Sequence, residues 1–279
     1  MDYTEHPVPD DLRRYVQCLW VLRDDAPDTA IQTIYPDGRC ELLAELGVPL
    51  RFQGADGEIG SDQPFCFAAQ QLGPIRLQAV GEVHCIGLRL APACGGLIVG
   101  THLAELRDHA PDLFTLDATF ADAFSRAART SAETESPEPL WEVMRTRCAT
   151  FVPDTLAERA AGALDQADGD LRVADLARQL GAGLRTLQTR FLEAVGITPK
   201  EYARVRRLQA LLHTLDAERE AIADAAARHG YSDQAHATHD LLRLTGTTPA
   251  RLVRALRGDP DGEDALRLAA AFVRGKSAR

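Results

Sequence analysis

An internal repeat in the last third of this 279-residue chain constrains the fold more than any other feature. Val173-Ala174-Asp175 recurs as Ile222-Ala223-Asp224 at an offset of 49, and Gly196-Ile197-Thr198-Pro199 recurs as Gly246-Thr247-Thr248-Pro249 at an offset of 50. Each copy has the pattern of a helix, a turn at glycine, a second helix, and a Thr-Pro pair that starts a third. Two helices joined by a tight turn form a helix-turn-helix motif. The sequence therefore predicts two such units, with one residue inserted in the turn of the second.

Apolar spacing and helix-ending glycines predict a series of helices through the first copy. They cover Thr155–Ala167, Leu171–Leu180, Leu184–Val195 and Pro199–Leu215. Thr198 and Glu201 fit a capping box at the start of the last of these. In the helix Leu184–Val195, the residues Leu184, Leu187 and Phe191 share one face and are predicted to point into the core. Helical hairpins that do not bind DNA have the same pattern. The residues on the polar faces of the helices are therefore needed to distinguish a DNA-binding helix-turn-helix unit from such a hairpin.

Residues 1–100 show short apolar or alternating runs between turn signals. Ile75–Val80 and His84–Leu90 have the pattern of strands, and Pro36-Asp37-Gly38 and Gly73-Pro74 have the pattern of turns. Several short strands at this spacing predict a sandwich or a barrel.

Helical patterns return after residue 100. Thr101–Ala128 and Leu140–Val152 are predicted to be helical, with a polar linker, 130–139, between them. The expected fold class is α+β: an N-terminal β-barrel or sandwich with following helices, then an all-α domain of two helix-turn-helix units joined by a linker helix. The expected segments are 1–129, 130–153, 154–257 and a tail, 258–279, in which Glu263–Val273 has the pattern of an extra helix.

The charge distribution separates the two domains. The net charge is −10, but residues 1–150 hold 12 Lys/Arg against 23 Asp/Glu, whereas residues 171–257 hold 14 against 9. Duplex DNA repels the first domain and attracts the second. No apolar run approaches the roughly 20 residues of a membrane-spanning helix, and the acidic N-terminus is unlike a secretory signal. We therefore expect a cytoplasmic protein that binds double-stranded DNA.

The polar faces of the second helices supply candidate DNA contacts, because such helices read the major groove from their exposed face near the N-terminal end. Arg185 and Gln188 are types that bind base edges bidentately, and Ser232 and Gln234 suit phosphate contacts. The full set of candidates is Arg185, Thr186, Gln188 and Thr189 in the first copy, and Ser232, Gln234, His236, His239 and Arg243 in the second.

Residues from about 154 to 257 resemble the DNA-binding domain of the AraC/XylS family of bacterial regulators. The stretches that carry the resemblance are VADLARQLG, LRTLQTRFLEAVGITPKEYARVRRLQALLHTL, IADAAARHGYSDQAH and LTGTTPARLVRALR. The resemblance implies two helix-turn-helix units joined by a long linker helix, Pro199–Leu215. It also implies that the second helix of each unit enters one of two successive major grooves.

The chain departs from the family pattern at positions that matter for DNA binding. The family usually has Arg where this chain has Thr189 and His239, and aromatic anchors where it has Ala237 and Leu241; it usually has Ser where this chain has Gly183. One bidentate base contact discriminates by about 1–3 kcal/mol, so losing two would weaken operator specificity. This leaves open a regulator with weakened DNA binding that acts through a protein partner.

Residues 1–150 resemble the cupin-like sensing domain of one subgroup of this family, most clearly in YPDGRCELLAEL. The resemblance implies a small-molecule effector, and it implies that the helices after the barrel form a homodimer. Arg39, Glu41 and Arg89 are candidates to line a polar pocket, with surface placement as the alternative. His84 shares strand parity with Ile86 and is predicted to point into the barrel, either as an effector contact or as a core histidine bonded to backbone.

Catalytic and metal-binding motifs are missing from the sequence. The six cysteines form no CxxC pair and are expected to be buried small apolar residues: Cys18, Cys40, Cys66, Cys85, Cys94 and Cys148. His84 and Cys85 are adjacent on a strand, so they point to opposite faces and form no dyad. There is no P-loop, dinucleotide glycine motif or HExxH. We expect no enzyme, no cofactor and no metal, with a metal-dependent cupin enzyme as the alternative.

The sequence as a whole predicts a transcription regulator of the AraC/XylS type. Its expected partners are double-stranded DNA, a small-molecule effector, a second copy of the chain and RNA polymerase.

Overall fold

The computed structural model describes residues 1–53, 59–61, 63–218, 222–231 and 233–256. Ser232 and the tail with its predicted helix, Glu263–Val273, lie outside the described residues. The described chain is α+β, as predicted: a β domain comes first, a layer of helices follows, and an all-helical domain ends it. Within these residues no helix has the length and apolarity needed to cross a membrane.

The N-terminal domain is built from two antiparallel sheets. The strands are β1 (Asp2–His6), β2 (Val16–Asp24), β3 (Gln32–Ile34), β4 (Glu41–Glu45), β5 (Arg51–Gln53), β6 (Ile59–Ser61), β7 (Phe65–Ala68), β8 (Ile75–Gln78) and β9 (Val83–Leu90). The larger sheet has the order β1-β2-β9-β4-β7 and the smaller the order β3-β8-β5-β6. Trp20, Leu22 and Cys85 of the larger sheet share a small core with Leu50 and Ala79, which adjoin strands of the smaller one. This packing confirms the predicted β domain.

Helices occupy the described chain after β9. They are α1 (Gly95–Val99), α2 (Leu103–Leu106), α3 (Leu113–Leu116), α4 (Ala118–Thr134), α5 (Glu138–Cys148), α6 (Thr155–Gln166), α7 (Val173–Gln179), α8 (Leu184–Val195), α9 (Pro199–Glu218), α10 (Ile222–Arg228), α11 (Gln234–Thr245) and α12 (Pro249–Leu256). Helices α4 and α5 cover the second face of the larger sheet. Leu88 and Leu90 of β9 share a core there with Phe124 and Trp141.

The predicted polar linker, 130–139, is wrong except at residues 135–137. Helix α4 continues to Thr134, and only residues 135–137 separate it from α5. Phe124, Ala128 and Ser131 are all buried and lie at helical spacing on one face of α4. The small buried residues extend the inward face, although the composition of this stretch is polar.

The helical domain reproduces the sequence repeat. Helices α7, α8 and α9 of the first unit correspond to α10, α11 and α12 of the second, at offsets of 49, 50 and 50. The extra residue therefore lies in the turn of the second unit, as predicted. Gly196 and Gly246 end α8 and α11 with φ of 87° and 67°, a left-handed conformation that favours glycine. Helix α9 contributes Tyr202 to the core of the first unit and Leu208 to that of the second.

Candidate nucleic-acid interface and its link to the N-terminal domain

Helix α8 presents the predicted contacts of the first unit to solvent. Arg185, Thr186, Gln188 and Thr189 are exposed, and Leu187 and Phe191 are fully buried. The prediction that Leu184 points inward is wrong, since its side chain is 44% exposed. Leu184 is the first residue of the helix, and the buried face of α8 begins only at Leu187.

Leu184 is a candidate contact that the sequence analysis missed. It lies beside Arg185 in the first turn of α8, where a recognition helix meets the bases. An exposed apolar side chain there suits the methyl group of thymine. The signal that could have found it is a leucine at the N-terminal turn of the second helix of the unit.

Helix α11 gives the second unit a similar exposed face. Its N-cap, Asp233, accepts a hydrogen bond from the backbone N–H of His236 at 2.8 Å, which fixes the start of the helix. The candidates Gln234, His236, His239 and Arg243 are exposed, while Ala237, Leu241 and Leu244 are buried. The structure therefore brings the described candidates of the second unit to one helix surface.

A buried ion pair holds α11 against the linker helix. Asp240 is only 2% exposed, and it accepts two hydrogen bonds from the guanidinium of Arg204 on α9, with Nε at 3.1 Å from Oδ2. His236 Nε2 and His239 Nδ1 each lie 3.8 Å from the same carboxylate. The two exposed imidazoles are thus positioned around a carboxylate whose position α9 determines.

The turn 36–39 of the N-terminal domain is bound to the helical domain. Arg39 Nη2 donates to Asp165 Oδ2 on α6 at 2.7 Å, and Arg39 Nη1 donates to the hydroxyl of Tyr202 on α9. That hydroxyl donates in turn to Asp165 Oδ1 at 2.8 Å. Burial raises the pKa of Tyr202, so its hydroxyl keeps its proton as the donor to the carboxylate. The three groups form a closed network between the two domains, in which Arg39 and Tyr202 are buried.

Further contacts align the same turn along α9. Arg206 Nη1 donates to the carbonyl oxygen of Asp37 at 3.0 Å, and Gln209 Nε2 donates to that of Pro36 at 2.6 Å. Gly38 has a φ of 79°, and a Cβ at this position would lie 3.2 Å from the ring of Tyr202. Glycine therefore satisfies both the turn and the close approach to α9.

The N-terminal domain also contacts α8 and α11, the second helices of the two units, which we call the recognition helices. The contacts lie at equivalent points of the repeat. A Cβ on Gly196, at the end of α8, would lie 2.6 Å from Leu103 Cβ. A Cβ on Gly246, at the end of α11, would lie 3.2 Å from Pro74 Cγ. One domain thus contacts the C-terminal ends of both recognition helices and leaves their N-terminal ends exposed.

The four predicted effector contacts do not form one group. Arg89 Nε donates to Glu41 Oε1 at 2.8 Å, and Arg89 Nη2 lies 3.3 Å from Asp37. Burial raises the pKa of Glu41, although the neighbouring Arg89 acts in the opposite direction. Arg39 instead pairs with Asp165 and Tyr202 of the helical domain.

His84 lies on the other face of the larger sheet, so the prediction that it points into the barrel is wrong. Its parity with Ile86 was correct, but that face packs against α4 and α5 rather than against the smaller sheet. His84 Nε2 accepts from Arg23 Nε at 3.3 Å. Burial and the neighbouring guanidinium lower the pKa of His84, which favours the neutral ring.

The cysteines are all free and buried, as predicted. Burial raises the pKa of Cys148 to about 11 and that of Cys94 to about 12, so these thiols stay protonated. Among the described residues, no three His, Cys, Asp or Glu side chains are grouped to hold a metal ion.

Comparisons with known proteins agree with this division of the chain. Residues 176–255 match a family described as "Helix-turn-helix domain", and residues 4–112 match a domain of unknown function, DUF6597. No curated relative matches the sequence.

Solved structures that are similar to this chain include two of ToxT from Vibrio cholerae. One is 10% identical with a TM-score of 0.45, covering 91% of this chain and 98% of that one. The other, with unsaturated fatty acid bound, is 12% identical with a TM-score of 0.45, covering 85% and 95%. The AraC-like transcriptional activator CuxR is 18% identical with a TM-score of 0.31, covering 68% and 75%. The family matches confirm the resemblance seen in the sequence: the chain joins a DUF6597 domain to a helix-turn-helix domain of the AraC type.

Proposed function

We propose that the protein is a transcription regulator that binds duplex DNA through α8 and α11 and responds to a small-molecule effector held by its N-terminal domain. The observation that carries the proposal is the matched exposure of the two recognition helices. Within a helix-turn-helix domain, both helices bury an apolar face and expose polar side chains at their N-terminal ends. Arg185 and Gln188 have the donor geometry that reads guanine and adenine in the major groove.

The contacts between the domains support an effector response. The N-terminal domain binds α9 through Arg39 and contacts the ends of α8 and α11 at Gly196 and Gly246. A ligand that shifts the β domain between two arrangements therefore alters how the two recognition helices are held. Such a ligand changes DNA affinity only by its difference in affinity for the two arrangements.

Selection of genomic fragments by the purified full-length protein tests DNA binding. We expect one enriched motif with two short blocks about one helical turn apart, and an affinity that falls steeply with salt. Failure to enrich any motif would contradict the proposal.

Variants on one helix then test the binding face. Arg185→Ala and Gln188→Ala each remove a base contact, so each is expected to weaken binding to the selected site by about 5- to 150-fold. Glu193→Ala is the matched control, because Glu193 is exposed on the same helix but lies in its C-terminal half. We expect the control to bind at least as tightly as the wild type.

A second candidate function is a regulator with weak DNA binding that acts through a protein partner. Thr189 and His239, exposed on α8 and α11, favour it because both are shorter than the arginine usual at these positions. Thr189→Arg and His239→Arg test it: gains of tenfold or more on the selected site would support the second candidate, and weaker binding would support direct readout by the native residues.

The proposal extends to partners and location. It includes a homodimer formed through the helices that follow the β domain, contact with RNA polymerase at the promoter, and action in the cytoplasm, where the DNA is. It includes no enzymatic activity. Sedimentation of the purified protein over a concentration series tests the dimer.

A further inference from the structure

A cavity of about 200 Å³ lies between the larger sheet and the helical layer, and we name it the sheet–helix cavity. Its sheet wall comes from β1, β2 and β9, and its helix wall from the end of α4, the turn 135–137 and the start of α5. The sheet face that is filled by Leu88, Leu90 and Phe124 at one end is thus left open at the end that carries His84.

The wall of the sheet–helix cavity is mainly apolar. Leu19, Val21 and Ile86 form the sheet side, and Ala132 and Leu140 form the helix side. Apolar walls with a few polar groups are typical of sites for small organic ligands. Since the cavity is smaller than the roughly 300–1,000 Å³ of drug-sized sites, its ligand is a small one.

Ser131 supplies a hydroxyl without a partner in this cavity. Ser131 is only 5% exposed, and its Oγ has no hydrogen-bond partner. A buried polar atom left unpaired costs about 1–3 kcal/mol. Ser131 lines the cavity, so a ligand atom there relieves this cost.

Three further polar groups of the wall, Arg23, His84 and Glu135, contact one another. Arg23 Nε donates to His84 Nε2 at 3.3 Å, and Arg23 Nη1 lies 3.3 Å from Glu135 Oε1. Because Nε2 of His84 accepts a hydrogen bond, the neutral ring carries its proton on Nδ1, where it is a donor. The neutral hydrogen-bonding groups of the cavity therefore include the hydroxyl of Ser131 and the ring of His84, beside the hydroxyls of Thr4 and Ser136.

The charges around the cavity disfavour an anionic ligand. Its wall holds two carboxylates, Asp2 and Glu135, and one permanent cation, Arg23, which already contacts Glu135. A carboxylate or phosphate ligand would compete with Glu135 for Arg23 and would be repelled by two negative groups.

We propose that the sheet–helix cavity binds a small uncharged molecule with an apolar body and one hydroxyl or carbonyl group, which hydrogen-bonds to Ser131. The assignment of this ligand as the effector rests on the proposed function, whereas the binding site itself does not.

Calorimetry on the full-length protein with phenol as the probe tests the site. Phenol has an apolar ring and one hydroxyl, and benzoate is a probe of similar size with a negative charge. We expect phenol to bind at millimolar concentration at one site per chain, and benzoate to bind at least tenfold more weakly. No heat with phenol, or tighter binding of benzoate, would overturn the proposal.

Variants separate this site from any other. Ser131→Ala is expected to weaken phenol binding about fivefold, the loss of one hydrogen bond, and to leave the stability of the free protein unchanged or higher because the hydroxyl is unpaired. Ser125→Ala is the matched control: Ser125 is also buried on α4, but its hydroxyl donates to Asp122 O at 3.0 Å. Ala132→Phe, which fills the cavity, is expected to abolish binding. Unchanged phenol binding in both Ser131→Ala and Ala132→Phe overturns the proposal.

Measurement of DNA affinity on the same samples separates the two hypotheses. Phenol binding without any DNA binding supports the site and contradicts the proposed function. DNA binding without phenol binding supports the proposed function and overturns the site.

Discussion

Arg39 and Asp165 are 126 positions apart in sequence, yet the guanidinium and the carboxylate meet at 2.7 Å between the two domains. Arg39 is almost fully buried, so it depends on Asp165 and on the hydroxyl of Tyr202 for compensation of its charge. A buried charge left without its partner costs far more than an exposed one. This pair therefore makes the docking of the domains sensitive to one carboxylate.

The first prediction concerns Asp165→Ala. Removing the carboxylate leaves the buried Arg39 without its ion-pair partner and also removes the contact of Arg206 Nε with Asp165 Oδ1 at 2.8 Å. We expect the free energy of unfolding to fall by about 3 kcal/mol, measured by urea denaturation. Glu158→Ala is the matched control, because Glu158 also lies on α6 and pairs with Arg14 of the N-terminal domain at 2.7 Å. Arg14 is 44% exposed, so the control is expected to lose less than about 1 kcal/mol. Equal losses would mean that the buried arginine is not dependent on Asp165.

The second prediction uses the two equivalent glycines of the repeat. Alanine in a left-handed conformation costs about 1 kcal/mol, so Gly246→Ala is expected to lose about that much. Gly196→Ala is expected to lose about 3 kcal/mol, since its methyl group would also overlap Leu103 Cβ at 2.6 Å. Thermal unfolding of the two variants measures the difference. A smaller loss in Gly196→Ala would mean that α8 and the N-terminal domain do not approach this closely.

Local signals in the sequence were sufficient to predict the helices and the repeat of the helical domain. Helix α8 was predicted as Leu184–Val195, its observed bounds, because a left-handed glycine ends it and its apolar residues keep one period. The repeat also located the inserted residue, since an offset that changes from 49 to 50 requires an insertion between the matched stretches.

The interdomain network was not predictable from the sequence in the same way. Nothing near Arg39 in the chain indicates that its partner is Asp165 on a helix of another domain. Likewise, strand parity put His84 on the same face as Ile86, but which layer covers that face depends on tertiary packing. Ser131 was assigned to a linker because its neighbours are polar, and only its burial against the sheet reveals it as part of a helix.

The third prediction concerns the ion pair of the second unit. Asp240→Ala leaves Arg204, which is 17% exposed, without its carboxylate, and we expect α11 to lose about 3 kcal/mol of protection in hydrogen exchange. The repeat supplies the matched control. Arg190 occupies the register of Asp240 in the first unit, and its partner is Asp154 at 2.7 Å. Because Arg190 is 45% exposed, Arg190→Ala is expected to change the protection of α8 by less than about 1 kcal/mol. Equal effects in the two units would contradict this difference in burial.

The fourth prediction concerns acid stability and Asp154, which begins the helical domain. Asp154 accepts from the backbone N–H of Ala157 at 2.9 Å and from Arg190 Nε at 2.7 Å. Burial acts to raise the pKa of Asp154, but these hydrogen bonds outweigh it and hold the pKa below its ordinary value of 3.8. Because the folded pKa is the lower one, the stabilisation is fully present above pH 3.8 and is lost as the pH falls through the folded value.

Asp154→Asn tests this sign, since the amide cannot titrate. Because asparagine caps a helix as well as aspartate does, the variant loses the negative charge and the ion pair with Arg190 rather than the cap. Above pH 3.8 we expect it to be less stable than the wild type by about 1 kcal/mol, and we expect the gap to close as the pH falls further. Urea denaturation over an acid pH series measures it, with Asp10→Asn as a control because Asp10 is 88% exposed. A gap that widens towards low pH would mean that the folded protein prefers the protonated carboxyl, and it would rule out the ion pair with Arg190 as the reason for the shift.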